Sequence, residues 1–313
     1  MLYLIMIRIN CPLCNSEDNY LFIKIKFREI KNYFRIFKCR NCLLLFHHPT
    51  YKERELKKLY EKNYYFFIRD DSIEFKRAFK VLRRISYKLD LNKNFNIIEV
   101  GCGKGYLLYL LDKLGYRVEG VEISETASKY ARERFDLNVF NGTLEEYVKE
   151  RDKKFEVILL IDLLEHIKNP HSFMESIRKI SKRGTVLFID TPNSGSQEIK
   201  RERDKWIGFN PFHIRIYSLK SIDALLKRYG FKIIDYFYYG DFKRNKFKGK
   251  FREFLSIFNV LTIWDKSRIY IKSIFNKEKD VERFISSLQK EIKDEEFTFL
   301  KGDSNLCVYA EKL

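Results

Sequence analysis

Three groups of residues in this 313-residue sequence have types and spacings that chemistry can use. The first is Cys11-Pro12-Leu13-Cys14 with Cys39-Arg40-Asn41-Cys42, two CxxC pairs separated by 24 residues. Each tight turn aims two thiolates at one point, and four thiolates close the tetrahedral shell of a zinc ion, leaving no position for a substrate. Such an ion is structural. The competing uses of these thiols are disulfides or inert buried side chains. The second group is Glu99, the turn Gly101-Cys102-Gly103-Lys104-Gly105, and Glu122, which lies 21 residues after Gly101. Alternating glycines let the backbone turn sharply and approach a ligand, and the helix that follows offers its positive end to an anion. An acid at the position of Glu122 can accept both hydroxyls of a ribose. Glu99 beside the turn suits an ammonium, where a pyrophosphate would ask for a neutral residue. The third group is Asp162, Glu165 and His166; apart from these three groups, His213 lies in an aromatic segment with Trp206, Phe209, Phe212 and Tyr217. Two carboxylates and an imidazole can converge on a divalent ion. His213 is the candidate general base, since imidazole ordinarily titrates near neutrality. His171 and the pair His47-His48 are weaker candidates, at a helix start and directly after the second cysteine pair.

Elements must hold these groups in place. Residues 20–27 and 33–37 read as strands between the cysteine pairs, the pattern of a zinc ribbon. A module of about 40 residues has too little core to hold itself, so the metal is expected to act as a folding ligand. Residues 52–60 and 73–91 have helical periodicity, the second with Phe75, Phe79, Leu82, Ile85 and Leu89 on one side. The aromatic stretch 60–67 between them reads as a packed hinge or a flap. From Phe95 onward strand and helix patterns alternate: strands at 96–100, 117–122, 155–161, 184–193, 231–238 and 305–310, with a helix at 106–114. That alternation predicts an α/β fold with a doubly wound sheet. Some 65 residues precede the last strand, opening with the basic run Lys243, Arg244, Lys246, Lys248, Lys250 and Arg252 and continuing as an apolar helix pattern over 254–274 with Trp264 inside. The plain reading is an insertion with its own core; a lid, a dimer contact or a peripheral membrane contact is the functional one.

The net charge of +18 is uneven: residues 1–90 hold 20 basic and 10 acidic side chains, residues 91–240 hold 25 and 21, and residues 241–313 hold 16 and 12. The excess lies outside the central α/β region, which places an acidic partner beside it. No run of eighteen uncharged apolar residues occurs, and residues 1–7 are too short for a signal peptide, so a cytoplasmic location is expected. With 45% apolar and 16% aromatic residues, the chain can bury real cores and is neither disordered nor a mini-protein.

The motifs also occur as a set. Glu99 with the GxGxG turn, Glu122, Leu164-Glu165-His166 with Pro170, Thr191-Pro192-Asn193, His213 with Ser218, and Gly230-Phe231 together resemble the class I S-adenosylmethionine-dependent methyltransferases, in the branch with an LEH...P turn and a TPN strand end. The resemblance covers residues 95–240 and the ribbon. It implies a Rossmann-like seven-stranded methyltransferase sheet with a small N-terminal zinc ribbon, divided as ribbon 1–50, helical connector 51–92, cofactor-binding core 93–240, helical basic insertion 241–302 and final core strand 303–313. It further implies that Glu99, Gly101, Cys102, Gly103 and Gly105 line the methionine end of S-adenosylmethionine, that Glu122 holds the ribose, and that Ile123 lies against the adenine. Thr143 and Leu144, with Asn141, would meet the adenine edge, and Asp162 and Leu163 would lie near the transferred methyl. Cys11, Cys14, Cys39 and Cys42 would hold zinc. His166 would turn back to hold a strand end. The DxxEH pattern is similar to the ExxEH of ubiquinone-type O-methyltransferases, where these side chains are associated with a divalent ion. Relatives of this branch act on small acceptors, sugars, glycans or nucleotide-linked sugars, which makes O-methylation of such an acceptor the expected reaction, with RNA methylation the alternative that the basic ribbon suggests.

Overall fold

The computed structural model describes residues 9–26, 33–50, 71–89, 91–92, 94–240 and 302–313. The expected helix at 52–60, the aromatic stretch 60–67 and the insertion with its basic run and apolar helix lie outside the described residues. Near the N-terminus, β1 (Asn19–Lys26), β2 (Tyr33–Cys39) and β3 (Leu45–His47) pair antiparallel in that order. Helix α1 (Asp71–Ser86) follows, ending earlier than the apolar spacing through Leu89 and Leu91 suggests. The main sheet is then laid down by β4 (Asn96–Val100), α2 (Tyr106–Lys113), β5 (Arg117–Glu122), α3 (Glu125–Phe135), β6 (Val139–Asn141), α4 (Leu144–Glu150), β7 (Phe155–Ile161), α5 (Pro170–Ile180) and β8 (Ser181–Pro192). After α6 (Gln197–Glu202) come β9 (Arg215–Ile216), α7 (Leu219–Arg228), β10 (Phe231–Tyr239) and β11 (Asn305–Lys312).

Seven strands form one mixed sheet in the order β10-β11-β8-β7-β4-β5-β6. The strands from β8 to β6 run parallel, and β11 lies antiparallel between β8 and β10. The central strands read as near-continuous apolar runs because both faces are covered. On one face Ile97, Val157 and Leu159 pack with Leu107, Leu108 and Leu111 of α2 and with Phe75, Leu82 and Ile85 of α1. On the other, Ile98, Val100, Ile158 and Leu160 pack with Met174 and Ile177 of α5 and Leu225 of α7. The alternation of neighbours such as Ile97 and Ile98 between the two cores is the period-two geometry of a strand.

The ribbon sheet is not a separate appendage. Its fourth strand is β9, which pairs with β3 through Leu45↔Ile216 and Phe46↔Arg215. Cys11, Leu13, Cys39, Cys42 and Phe46 share the core of Tyr217, Ile222 and Leu225. On the other side of the ribbon sheet, Ile25, Ile36 and Leu45 pack on Trp206, Phe209 and Ile216. Among the described residues no helix is long and apolar enough to cross a membrane.

Candidate functional site

The glycine turn follows β4 at the carboxyl end of the parallel strands. Gly101, Gly103 and Gly105 take φ of 76°, 53° and 78°, the left-handed region that glycine alone enters without strain. The turn is anchored at its start by Gly101 N–H donating to Val121 O at 2.7 Å. The three glycines differ in what surrounds them. A Cβ on Gly105 would lie 2.8 Å from Leu137 Cδ1 and 3.0 Å from Ala131 Cβ, and one on Gly101 would lie 2.9 Å from Leu163 Cδ1, whereas one on Gly103 would meet no heavy atom within 4 Å. Gly105 is therefore demanded by packing against Ala131, Gly101 is covered by the movable end of Leu163, and Gly103 faces open space.

Glu122 ends β5 opposite this turn. Its Oε2 accepts from Gly103 N–H and its Oε1 from Ser124 N–H, each at 2.8 Å. Burial raises its pKa, and these backbone donors pull it back toward the ionised form. Glu99 is buried, its Oε2 has no hydrogen-bond partner, and burial with the nearby Glu122 holds its carboxyl well above the usual range. Ile123 is 73% exposed, unusual for an isoleucine beside a buried acid, and Asn141 Nδ2 donates to Glu122 O and Ile123 O at 3.0 and 3.3 Å. Other expected residues sit differently. The Cys102 thiol points into the α2 core, where it would touch a Cβ on Gly120, so only its backbone is at the turn. The Thr143 side chain is occupied as N-cap of α4 in a reciprocal capping box with Glu146, and Leu144 is buried in the core.

The third group gathers at the end of β7. Asp162 adopts φ 47°, and its N–H donates to Asp190 O at 2.9 Å. Its carboxylate faces Arg77 of α1 at 3.8 Å and does not join the close group formed by Glu165, His166 and His213. Leu163 covers Gly101. Glu165 is fully buried: Thr191 Oγ1 donates to its Oε2 at 2.9 Å, while Oε1 has no hydrogen-bond partner and lies 3.8 Å from His213 Nε2. Burial, with Asp162 nearby, pushes the Glu165 carboxyl well above its ordinary pKa. His166 Nδ1 is 3.0 Å from Phe212 O and His213 Nδ1 is 2.9 Å from Gly208 O. A carbonyl can only accept, so both rings carry their proton on Nδ1 and present a bare Nε2. The rings stand edge to face at 4.9 Å, and one ligand atom from each of Glu165, His166 and His213 lies within 4.8 Å of the others. Of the DxxEH pattern, then, Glu165 and His166 converge, and the third member is His213 where the spacing suggested Asp162. Burial lowers His213 to about 3, with the neighbouring His166 adding to it, and burial lowers His166 to about 4. His213 is thus held neutral, not poised near neutrality.

A polar lattice behind Asp162 escaped sequence reasoning. Arg84 of α1 donates through Nε to Asp190 at 2.9 Å and Tyr239 OH donates to the same carboxylate at 2.7 Å, while Tyr106 OH donates to Asp71 at 2.6 Å. Arg84 and Asp71 thereby tie α1 to β8 and α2, and Tyr239 ties β10 to the same carboxylate. The partners in the Asp190 bonds are 49 to 106 positions apart, so no local signal links them.

Cys11, Cys14, Cys39 and Cys42 present their four sulfur atoms within 4.8 Å of one another, with Cys11–Cys42 and Cys14–Cys39 each at 3.6 Å. Thiolates about 2.3 Å from a tetrahedral zinc stand about 3.8 Å apart, so the arrangement fits that ion. Cys42 N–H donates to Cys39 Sγ at 3.5 Å and Asn41 Nδ2 to Cys14 Sγ at 3.6 Å, which is the hydrogen bonding that supports thiolate ligands. The Cys42 contact draws the Cys11 thiol down to about 5.

A family model described as a methyltransferase domain matches residues 67–236. The chain is similar to a probable S-adenosylmethionine-dependent methyltransferase of Mycolicibacterium smegmatis, 26% identical over 188 residues, a stretch that is 60% of this chain and 66% of the relative. It is similar to the ubiquinone biosynthesis O-methyltransferase of Maricaulis maris, 29% identical over 110 residues, which cover 34% of this chain and 43% of the relative. These matches span less than two thirds of the relatives' own length. Among solved structures, a SAM-dependent methyltransferase from Archaeoglobus fulgidus aligns with a TM-score of 0.49 at 18% identity, covering 80% of this chain and 100% of that one.

Proposed function

We propose, for a chain that belongs to the methyltransferase domain family and so carries an S-adenosylmethionine-dependent methyltransferase, that the methyl group goes to a hydroxyl of a small molecule, sugar or glycan. The observation that carries the cofactor site is the open face of Gly103 flanked by Glu122 and by Glu99 with its unbonded Oε2. S-adenosylmethionine, when bound, supplies a methyl already activated on a sulfonium. In this reading Glu99 faces its ammonium, Gly101, Cys102, Gly103 and Gly105 meet its methionine end through the backbone, and Glu122 accepts from the ribose. Exposed Ile123 covers the adenine, the Asn141, Thr143 and Leu144 segment borders the adenine edge, and Asp162 and Leu163 border the methyl. Cys11, Cys14, Cys39 and Cys42 hold a structural zinc in the ribbon, which with the connector, core, insertion and final strand gives the division read from the sequence.

With the donor activated, the protein holds the acceptor oxygen in line and takes its proton. His213 is our candidate for that proton because its Nε2 is bare, Nδ1–H being committed to Gly208 O. The gap of 3.8 Å between Nε2 and Glu165 Oε1 is too long for a direct hydrogen bond and suits a bridging oxygen. An acceptor hydroxyl there would give its proton to Nε2 as its oxygen takes the methyl from the sulfonium. The ubiquinone biosynthesis O-methyltransferases among the relatives agree with a hydroxyl acceptor.

The test is transfer of isotope-labelled methyl from S-adenosylmethionine into a fractionated lysate by the purified chain, read by mass spectrometry. We expect label in a low-mass or glycan fraction that survives nuclease. Label in a polymer that nuclease destroys would move the reaction to RNA. In parallel, Glu122→Gln should weaken S-adenosylmethionine binding about 10- to 100-fold in calorimetry, the worth of a charged hydrogen bond.

A further inference from the structure

We propose that the four-cysteine centre is the positioning device for His213, so that the metal sets the acceptor side of the site while the cofactor side stands without it. The inference rests on the zinc and His213 readings above. The knuckle Cys39–Cys42 is the turn that joins β2 to β3. The free edge of β3 is taken by β9, whose first residue follows His213 by two positions, and His47 N–H donates to Ile214 O at 3.0 Å. Ahead of His213, Trp206 and Phe209, stacked edge to face at 4.9 Å, pack under Ile25, Ile36 and Leu45 of the ribbon sheet. The ribbon therefore grips the histidine segment on both sides.

The knuckles are also bonded to the core directly. Ser194 Oγ donates to Leu43 O at 3.2 Å and Ser218 Oγ to Cys42 O at 3.4 Å, so the second knuckle's carbonyls hold the strand end and the residue that caps α7. His171 bridges Leu13 O of the first knuckle at 3.0 Å and Tyr229 OH at 2.9 Å. None of these bonds reaches the glycine turn. That turn is held by Val121 and Glu122, inside the main sheet. A two-residue strand such as β9 has little stability of its own, and β3, with three residues, depends on the turn that starts it. A tetrahedral clamp on that turn fixes the pairing, and its loss frees the pairing first.

The experiment compares zinc-loaded full-length chain, chelator-stripped chain and stripped chain resupplied with zinc. Metal content is measured first by elemental analysis; a chain that holds no zinc sinks the zinc reading and this inference with it. With zinc bound, hydrogen exchange is followed by mass spectrometry in residues 206–218 and 96–122, with S-adenosylmethionine affinity from calorimetry. Stripping should speed exchange in 206–218 by about tenfold or more while 96–122 and the affinity stay within about twofold, and zinc should restore slow exchange in 206–218. Imidazole nitrogen spectra, assigned with His213→Gln, should show the Nδ1-protonated form of His213 averaging out on stripping. Unchanged exchange in 206–218, or uniform acceleration with lost cofactor binding, would overturn the proposal. A zinc-loaded Ser194→Ala chain gives a separate arm: faster exchange around 213–218 at full metal content supports it, and wild-type rates there argue against it. If these hold and His213→Ala nonetheless transfers methyl at the wild-type rate, the base reading alone fails.

Discussion

Half-buried His213 and fully buried His47 are both neutral imidazoles, yet their surroundings assign them opposite expectations. His213 keeps one nitrogen bonded to Gly208 O and turns the other toward Glu165. Its replacement by alanine should lower methyl transfer by about 10²- to 10⁴-fold, the usual worth of general base catalysis, with S-adenosylmethionine affinity unchanged in calorimetry. His47 has no partner on either ring nitrogen, and burial, with Arg215 nearby, lowers it to about 4. The unfolded chain takes a proton at the ordinary histidine pKa of about 6.5, whereas the folded chain takes it only near 4. Its contribution is therefore intact above about pH 6.5 and falls away on acidification toward 4, reaching a loss of about 2 kcal/mol at pH 5. His47→Leu removes that loss together with two unsatisfied polar atoms. The variant should be at least as stable as wild type at pH 7 in urea unfolding, and its advantage should widen by about 2 kcal/mol at pH 5. An advantage that stays constant or shrinks would mean that His47 has a partner.

At the scale of elements, the glycine turn separates binding from folding. Gly103→Ala adds a methyl to open space at φ 53°, so it should cost the fold about 1 kcal/mol and hit cofactor affinity far harder. Gly105→Ala drives a methyl against Leu137 and Ala131 at φ 78° and should lower the melting temperature clearly in the cofactor-free protein. Thermal melts and calorimetry on the two variants would reverse this assignment if Gly103→Ala were the less stable. This turn was legible in the sequence because everything it needs is local: an apolar strand, alternating glycines, a helix, and an acid at the end of the next strand. The same holds for β4, β5 and the strand β11, though not for its antiparallel direction, and for the paired knuckles, whose four sulfurs meet as their spacing predicts. The capping box of Thr143 and Glu146 is likewise written locally, as Thr-x-x-Glu. The meeting of Glu165 with His213 was not legible, since 48 positions, one strand and two helices separate them. Nor was β9, because two residues have no period to detect.

Taken as a whole, the molecule spends much of the ribbon on its own core. One edge of the ribbon sheet is closed by β9, and the knuckle carbonyls are bonded to Ser194, Ser218 and His171. What it leaves outward is the β1 edge, with Tyr20 and Leu21 exposed, Arg40 stacked on the Tyr20 ring at 4.7 Å, and Lys38 over Phe22 at 5.6 Å. That basic aromatic strip is one part of the described ribbon where the excess positive charge of residues 1–90 can meet an acidic partner. A small acceptor, even one carrying a diphosphate, engages few cations, while an RNA strand engages many. Counterion release then separates the two: binding that neutralises Z phosphates of a single strand falls with a log–log salt slope of about −0.7Z. The small-acceptor reading predicts that bulk RNA binds this chain only at low salt, within the nonspecific range, and that affinity for S-adenosylmethionine is nearly flat between 50 and 200 mM salt, roughly the window over which RNA contacts are lost. Titration of the full chain with labelled bulk RNA across that window is the measurement. Submicromolar RNA affinity surviving at the upper end would make the strip a nucleic-acid surface and would turn the acceptor assignment toward RNA.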